Sequence, residues 1–170
     1  VTDKERSLLI DELSKALYLL ATITADSAGK AKMLKEALSV REKTVLVTDA
    51  IQPHSWNQGV MRNYLALIKA ELAKIEPSPG EKRRLLQEAA SNMEDCLGLC
   101  RQWAATVPGS SQRLSLYSEW HGDVLLQLYH TTSEPGAAES AVKAYRDAVE
   151  YLIAAGHDGS IPAIRWKMAK

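Results

Sequence analysis

Two cysteines, Cys96 and Cys100, stand four residues apart. On a helix that spacing puts both thiols on one face. A metal or redox pair is the chemistry such a face offers. Zinc, however, wants about four ligands, most often with Cys-x-x-Cys spacing. No second pair follows, and His121 and His130 have no ligand-like spacing with each other. Unpaired cysteine is mostly a small buried hydrophobe, so a core position is the expectation for both. The remaining histidines, His54 and His157, sit in turn-rich segments, and His121 neighbours Trp120. No serine or cysteine lies beside a histidine in a recognised nucleophile motif, so nothing here points to a triad. The glycine-bearing stretches "GSS" (109–111) and "AGHDGS" (155–160) match neither a P-loop nor a dinucleotide fingerprint. They read as helix stops followed by the next N-cap. The residues predict no enzyme, no cofactor and no metal.

The charged clusters are the next candidates. "EKRRLLQE" (81–88) places Lys82, Arg83 and Arg84 at a helix start, and "KAKMLKEALSVREK" (30–43) carries Lys30, Lys32, Lys35, Arg41 and Lys43. Phosphate contacts to RNA are the alternative function these residues suggest. Both clusters are diluted by glutamates, and a solvated face is the expected reading. Lys+Arg and Asp+Glu are 21 each. A general nucleic-acid binder draws its affinity from a basic excess, so zero net charge argues against that partner. Trp56, Trp103, Trp120 and Trp166 fall near helix starts or ends. They are expected to wedge between packed helices rather than to form an exposed stacking row.

The elements that must carry these residues are helices. The chain has 170 residues, 46 % hydrophobic and 25 % charged, as expected of one soluble globular domain. No apolar run is long enough to span a bilayer, and no charged-then-apolar leader with a cleavage site opens the chain. With so few cysteines a reducing, cytoplasmic setting fits. Prolines and glycines collect at "QPHS" (52–55), "EPSPG" (76–80), "VPGSS" (107–111), "SEPG" (133–136) and "GHDGSIP" (156–162). Between them, good helix formers carry apolar residues at spacings of three and four. Leu9, Leu13, Leu17 and Leu20 form one such stripe; Leu86, Ala89, Ala90, Met93, Leu97 and Cys100 form another. The pattern predicts helices at 3–24, 29–47, 56–75, 80–105, 111–131 and 136–155, and the start of a seventh at 161. The β-branched "TVLVT" (44–48) is expected to end the second.

Three stretches repeat: "MLKEAL" (33–38), "LLQEAA" (85–90) and "AYRDAV" (144–149). Their shared alanines are Ala37, Ala89 and Ala148, spaced by 52 and 59 residues. The first helices match more loosely, with Ala16, Ala66 and Gly122 ahead of apolar runs. The unit is a helical hairpin repeated three times, at 3–47, 56–105 and 111–155, with another opening at 161–170. A single hairpin cannot bury its apolar face; stacked neighbours do so jointly. The chain begins with Val1 and ends soon after Ile164, Trp166 and Met168 start an apolar pattern. A piece of a longer protein is therefore expected, with those three residues capping the stack or awaiting a following repeat. An end left open exposes apolar surface, so end-to-end self-association is also expected.

"AVKAYRDAVEY" (141–151) resembles the second helix of a tetratricopeptide repeat (TPR), with Ala141, Tyr145 and Ala148 at its small, aromatic and small positions. The spacing is longer than that family's usual repeat of about 34 residues, so the resemblance is to a TPR-like array with long helices. It implies an all-α fold: a right-handed superhelix of three antiparallel hairpins plus a partial seventh helix. It also implies a non-catalytic scaffold whose first helices hold a peptide or partner protein on a concave face. Counting from Ala16, Ala66 and Gly122, that face carries Asn63, Glu71, Glu119, Asp123 and Gln127, with Arg62 at its edge. The balance is acidic, which suits a basic or neutral partner.

Overall fold

A computed structural model describes residues 3–51 and 55–169. Among them are α1 (Asp3–Ile23), α2 (Ser27–Ile51), α3 (Trp56–Ile75), α4 (Pro79–Trp103), α5 (Ser110–Thr132), α6 (Pro135–Ala154) and α7 (Ile161–Met168), with two short 3-10 turns before α5 and α7 and no strand. The termini follow from local chemistry. Asp26 accepts the Gly29 backbone N–H at 2.6 Å and so caps α2. Ser55 and Gln58 form a reciprocal capping box on α3. Pro79 and Pro135 occupy first-turn positions of α4 and α6, where a missing N–H costs nothing. Gly109, ahead of α5, has φ +69°, a conformation glycine adopts without strain.

Each helix packs chiefly on those before and after it in the chain. Contacts fix the direction of each pair. Ser14 Oγ donates to the Ala37 carbonyl at 3.1 Å, and Arg41 reaches further back to Asp11. Lys69 of α3 meets Glu88 of α4 at 2.7 Å, while Gly59 faces Cys96 and Cys100. Ser115 donates to the Ala148 carbonyl at 2.9 Å, and Tyr145 Oη donates to Asp123 at 2.8 Å. Numbers fall on one helix as they rise on the other, so α1/α2, α3/α4 and α5/α6 run antiparallel.

The repeat alanines sit at equivalent contacts. Ala37 and Ala148 both accept a buried serine hydroxyl from the first helix of their pair. Ala66, 52 residues after Ser14 just as Ala89 follows Ala37, occupies that place in α3 and is fully buried. One turn earlier on the second helix stand Leu34, Leu86 and Tyr145, each at most 1 % exposed. Ala21, Ala73 and Gly122 hold the corresponding first-helix places and are all buried. A Cβ on Gly122 would lie 2.5 Å from the Tyr145 ring. Glycine is therefore needed there because this repeat carries the bulkier aromatic.

Three sequence expectations change. The helix predicted at 3–24 forms, but Leu9, Leu13 and Leu20 are exposed, at 66 %, 49 % and 49 %. Its buried side carries Asp11, Ser14 and Ala21 instead. Ala16 is exposed and is not the counterpart of Ala66; Ser14 and Ala21 hold the repeat places. "TVLVT" does not end α2, which runs on to Ile51. Thr44 and Thr48 point inward, and Thr44 Oγ1 bonds back to the Val40 carbonyl at 2.9 Å, which lets a β-branched residue sit in a helix. At the far end Ile164 is 1 % exposed and joins the core, with Ile161 and Met168 packed against it, while Trp166 is 61 % exposed. Ile164 and Met168 thus find apolar partners within the chain itself.

Candidate functional site

The polar residues of α3 and α5 divide into four environments. Arg62 grips Asp49 of α2 through both guanidinium branches, at 3.0 and 2.8 Å, and Gln58 Nε2 shares that carboxylate at 2.7 Å. Glu71 takes Lys30 of α2 at 3.1 Å and also Lys74. Burial alone would raise the Glu71 pKa; the Lys74 and Lys30 hydrogen bonds outweigh it and leave the carboxyl below its ordinary value. Both residues therefore tie α3 to the preceding helix. Asn63 is 1 % exposed, and its Oδ1 has no hydrogen-bond partner among the described residues. It lies inside the protein, not on a surface.

Glu119 and Asp123 are one turn apart on α5 and converge on a single cation. Lys167 Nζ of α7 lies 2.8 Å from Glu119 Oε1 and 2.9 Å from both Asp123 oxygens. The same ammonium stands 5.9 Å from the Tyr145 ring centroid. Burial lowers the Lys167 pKa, but the two carboxylates more than compensate and raise it. Burial, then the bond to Asp123, likewise keeps the Tyr145 hydroxyl protonated above its usual range. Two carboxylates beside an aromatic face form an ammonium-binding corner, and α7 occupies it. Gln127, one turn beyond Asp123, lines a separate surface cavity of about 400 Å³ with Lys74, Lys82, His130 and Thr131.

The basic clusters are largely neutralised. Arg83 pairs with Glu134 at 2.5 Å, Arg84 with Glu81 at 2.5 Å and with Glu88, and Lys30 with Glu71. Cys96 and Cys100 are both fully buried, as expected of core residues. The Cys100 contact, then burial, pushes the Cys96 thiol far up, so it is no nucleophile. No group of three or more His, Cys, Asp or Glu residues that could hold a metal occurs among the described residues. Trp56 and Trp120 flank Tyr117, at centroid distances of 6.5 and 6.0 Å, and wedge α3 against α5. Trp103 and Trp166 are exposed instead, at 40 % and 61 %. His54 lies outside the described residues.

Two features had no clear signal in the sequence. The first is the Asp11–Arg41 pair: Arg41 is fully buried, reaches Asp11 and Ser14, and stacks over the Tyr64 ring at 5.1 Å. An acid inside a leucine run and an arginine in mid-helix were its only marks. The second is His121, buried to 8 % exposure, with Nε2 unpartnered. Its ring floors a cavity of about 230 Å³ lined also by Glu94, Arg101, Ser140, Lys143 and Asp147. No model of a known protein family matches the chain, and no curated protein matches it.

Proposed function

We propose that this chain is a non-catalytic interaction module, a TPR-like right-handed superhelix of long antiparallel hairpins that binds a peptide or partner domain on its helical surface. The observation that carries the reading is the recurrence of one packing unit: Ala21/Leu34/Ala37, Ala73/Leu86/Ala89 and Gly122/Tyr145/Ala148. Repeated units that contact only their chain neighbours build extended surfaces suited to holding another chain. The binding face runs along α3 and α5, with Glu119, Asp123 and Gln127 its accessible members and Arg62 and Glu71 its braces to α2. The partner is basic, because the acidic corner of α5 already accepts an ammonium group. A cytoplasmic setting accords with two reduced, buried thiols.

The test is a pull-down with the 170-residue chain from nuclease-treated lysate at low and high salt. A discrete protein should be retained and should be lost from the Glu119→Gln/Asp123→Asn/Gln127→Ala variant. Retention of RNA that fades as salt rises would replace this reading with phosphate contacts at Lys32, Lys35 and Lys82.

A further inference from the structure

The first helix is inside out. A helix at a protein surface normally turns its apolar stripe inward and its polar side to water. On α1 the buried side carries Asp11 and Ser14, while Leu9, Ile10, Leu13, Leu19, Leu20 and Ile23 are 39–79 % exposed. These six residues expose roughly 650 Å², more than the roughly 300–600 Å² of the largest patch on a typical monomer. Leu46, Val47 and Ile51 are also exposed, at the end of α2 that the antiparallel pairing sets beside the first turns of α1. The cation-and-carboxylate contacts of α1 are already made inside the hairpin, so nothing polar competes for the outer face.

We infer that this face binds a second copy of the chain, α1 against α1 in antiparallel orientation about a two-fold axis at Ala16. Three observations select that occupant. The seam Leu9, Leu13, Ala16, Leu20, Ile23 steps by four, three, four and three residues, the 3.5-residue period that keeps a stripe on a partner helix. The face is self-complementary about Ala16: reversal sets Leu9 of one copy against Ile23 of the other, and Leu13 against Leu19. Ala16, exposed and small, stands where the two helices cross most closely. Charge then fixes direction. Glu12, with 68 % of its side chain exposed, is the acid beside the seam. Parallel pairing would bring the two Glu12 side chains to one level. Antiparallel pairing separates them by about 12 Å along the axis, beyond the roughly 8 Å Debye length at physiological salt. The two α1 faces together supply roughly 1,300 Å², within the roughly 1,200–2,000 Å² that stable interfaces bury. This pairing leaves the α5 groove uncovered and does not depend on any partner there.

Light scattering on the 170-residue chain tests the pairing. The expected result is a species at twice the protomer mass that grows with concentration and stops there. Leu13→Glu/Leu20→Glu should return it to the protomer mass with an unchanged helical circular-dichroism signal, since both sites face water in the protomer. Orientation is read by crosslinking. Ala16→Cys should give a disulfide-linked dimer under mild oxidation, and Glu12→Cys should not, with Cys96 and Cys100 shielded by burial. A single protomer mass at the highest soluble concentration overturns the inference, as would a dimer untouched by the double substitution. So would open-ended growth, which marks head-to-tail stacking through other surfaces. Stronger crosslinking of the Glu12→Cys variant than of the Ala16→Cys variant would mean parallel pairing and likewise sink it.

Discussion

His121 should make the fold acid-sensitive well above the range where carboxylates titrate. Burial, and then the nearby Arg101 guanidinium, pushes its pKa down to about 4 from an ordinary 6.5. The folded protein therefore keeps the imidazole neutral while the unfolded chain takes up a proton. The contribution is fully present above pH 6.5 and is lost as pH falls from there toward 4, because the unfolded state then binds more protons. A shift of that size is worth about 3 kcal/mol in all, at about 1.4 kcal/mol per unit. Of this, about 1.4 kcal/mol should be gone by about pH 5.5 and about 2.6 kcal/mol by about pH 4.5. Glu71 and Glu88, whose pKa values are held below 4.5 by their lysine partners, lose stability mainly below that point, which leaves the upper window to His121. The comparison is urea unfolding of the native chain and His121→Phe at about pH 7.5, 6.5, 5.5 and 4.5. At the highest of these the variant should be no less stable, since it removes a buried Nε2 without a partner. From about pH 6.5 to about pH 4.5 the native chain should lose about 2 kcal/mol more than the variant. Parallel profiles would refute the reasoning, because they would mean that the folded state protonates His121 as readily as the unfolded one.

Gly122→Ala should cost about 1–3 kcal/mol by driving a methyl into the Tyr145 ring. Adding Tyr145→Leu recreates the Ala–Leu pairing of the other two repeats and should recover much of the loss; chemical denaturation reads both. Gly98→Ala, exposed in α4 with no atom within 4 Å of the new methyl, should instead stabilise by about 1 kcal/mol. Asp11→Ala strands the fully buried Arg41 and should cost about 3–5 kcal/mol, whereas Asp11→Leu/Arg41→Met should cost far less in the same assay. Lys167→Met frees Glu119 and Asp123 of their cation and loosens α7, so amide exchange across 161–168 should accelerate while that of α3 and α4 stays unchanged.

The helices and most of their ends were legible in the chain, because caps and breakers act on their own backbone. Asp26, Ser55, Pro79 and Pro135 terminate helices through contacts within a few residues. The repeated Ala37, Ala89 and Ala148 were legible for a related reason: a crossing that close admits only small side chains, and the constraint recurs with the unit. The candidate site was legible only as composition. Glu119, Asp123 and Gln127 stood out as polar residues on an apolar helix, but nothing local marked Lys167, 44 residues beyond Asp123, as the cation that would meet the acids. Asn63 looked the same in sequence as its wet neighbours, yet it is buried.

The sequence by itself determined periodicity: α1 carries a leucine stripe, α2 carries an arginine at 41, and α5 carries two acids one turn apart. Only the tertiary structure decided which side of each helix meets the core. Leu9, Leu13 and Leu20 face outward because α1 docks through Asp11, Ser14 and Ala21, and Arg41 is buried because Asp11 meets it across the hairpin. A helical period is a property of a few adjacent residues. The face it buries is chosen by surfaces far away in the chain, through the docking free energy of whole helices, and no local pattern encodes that choice.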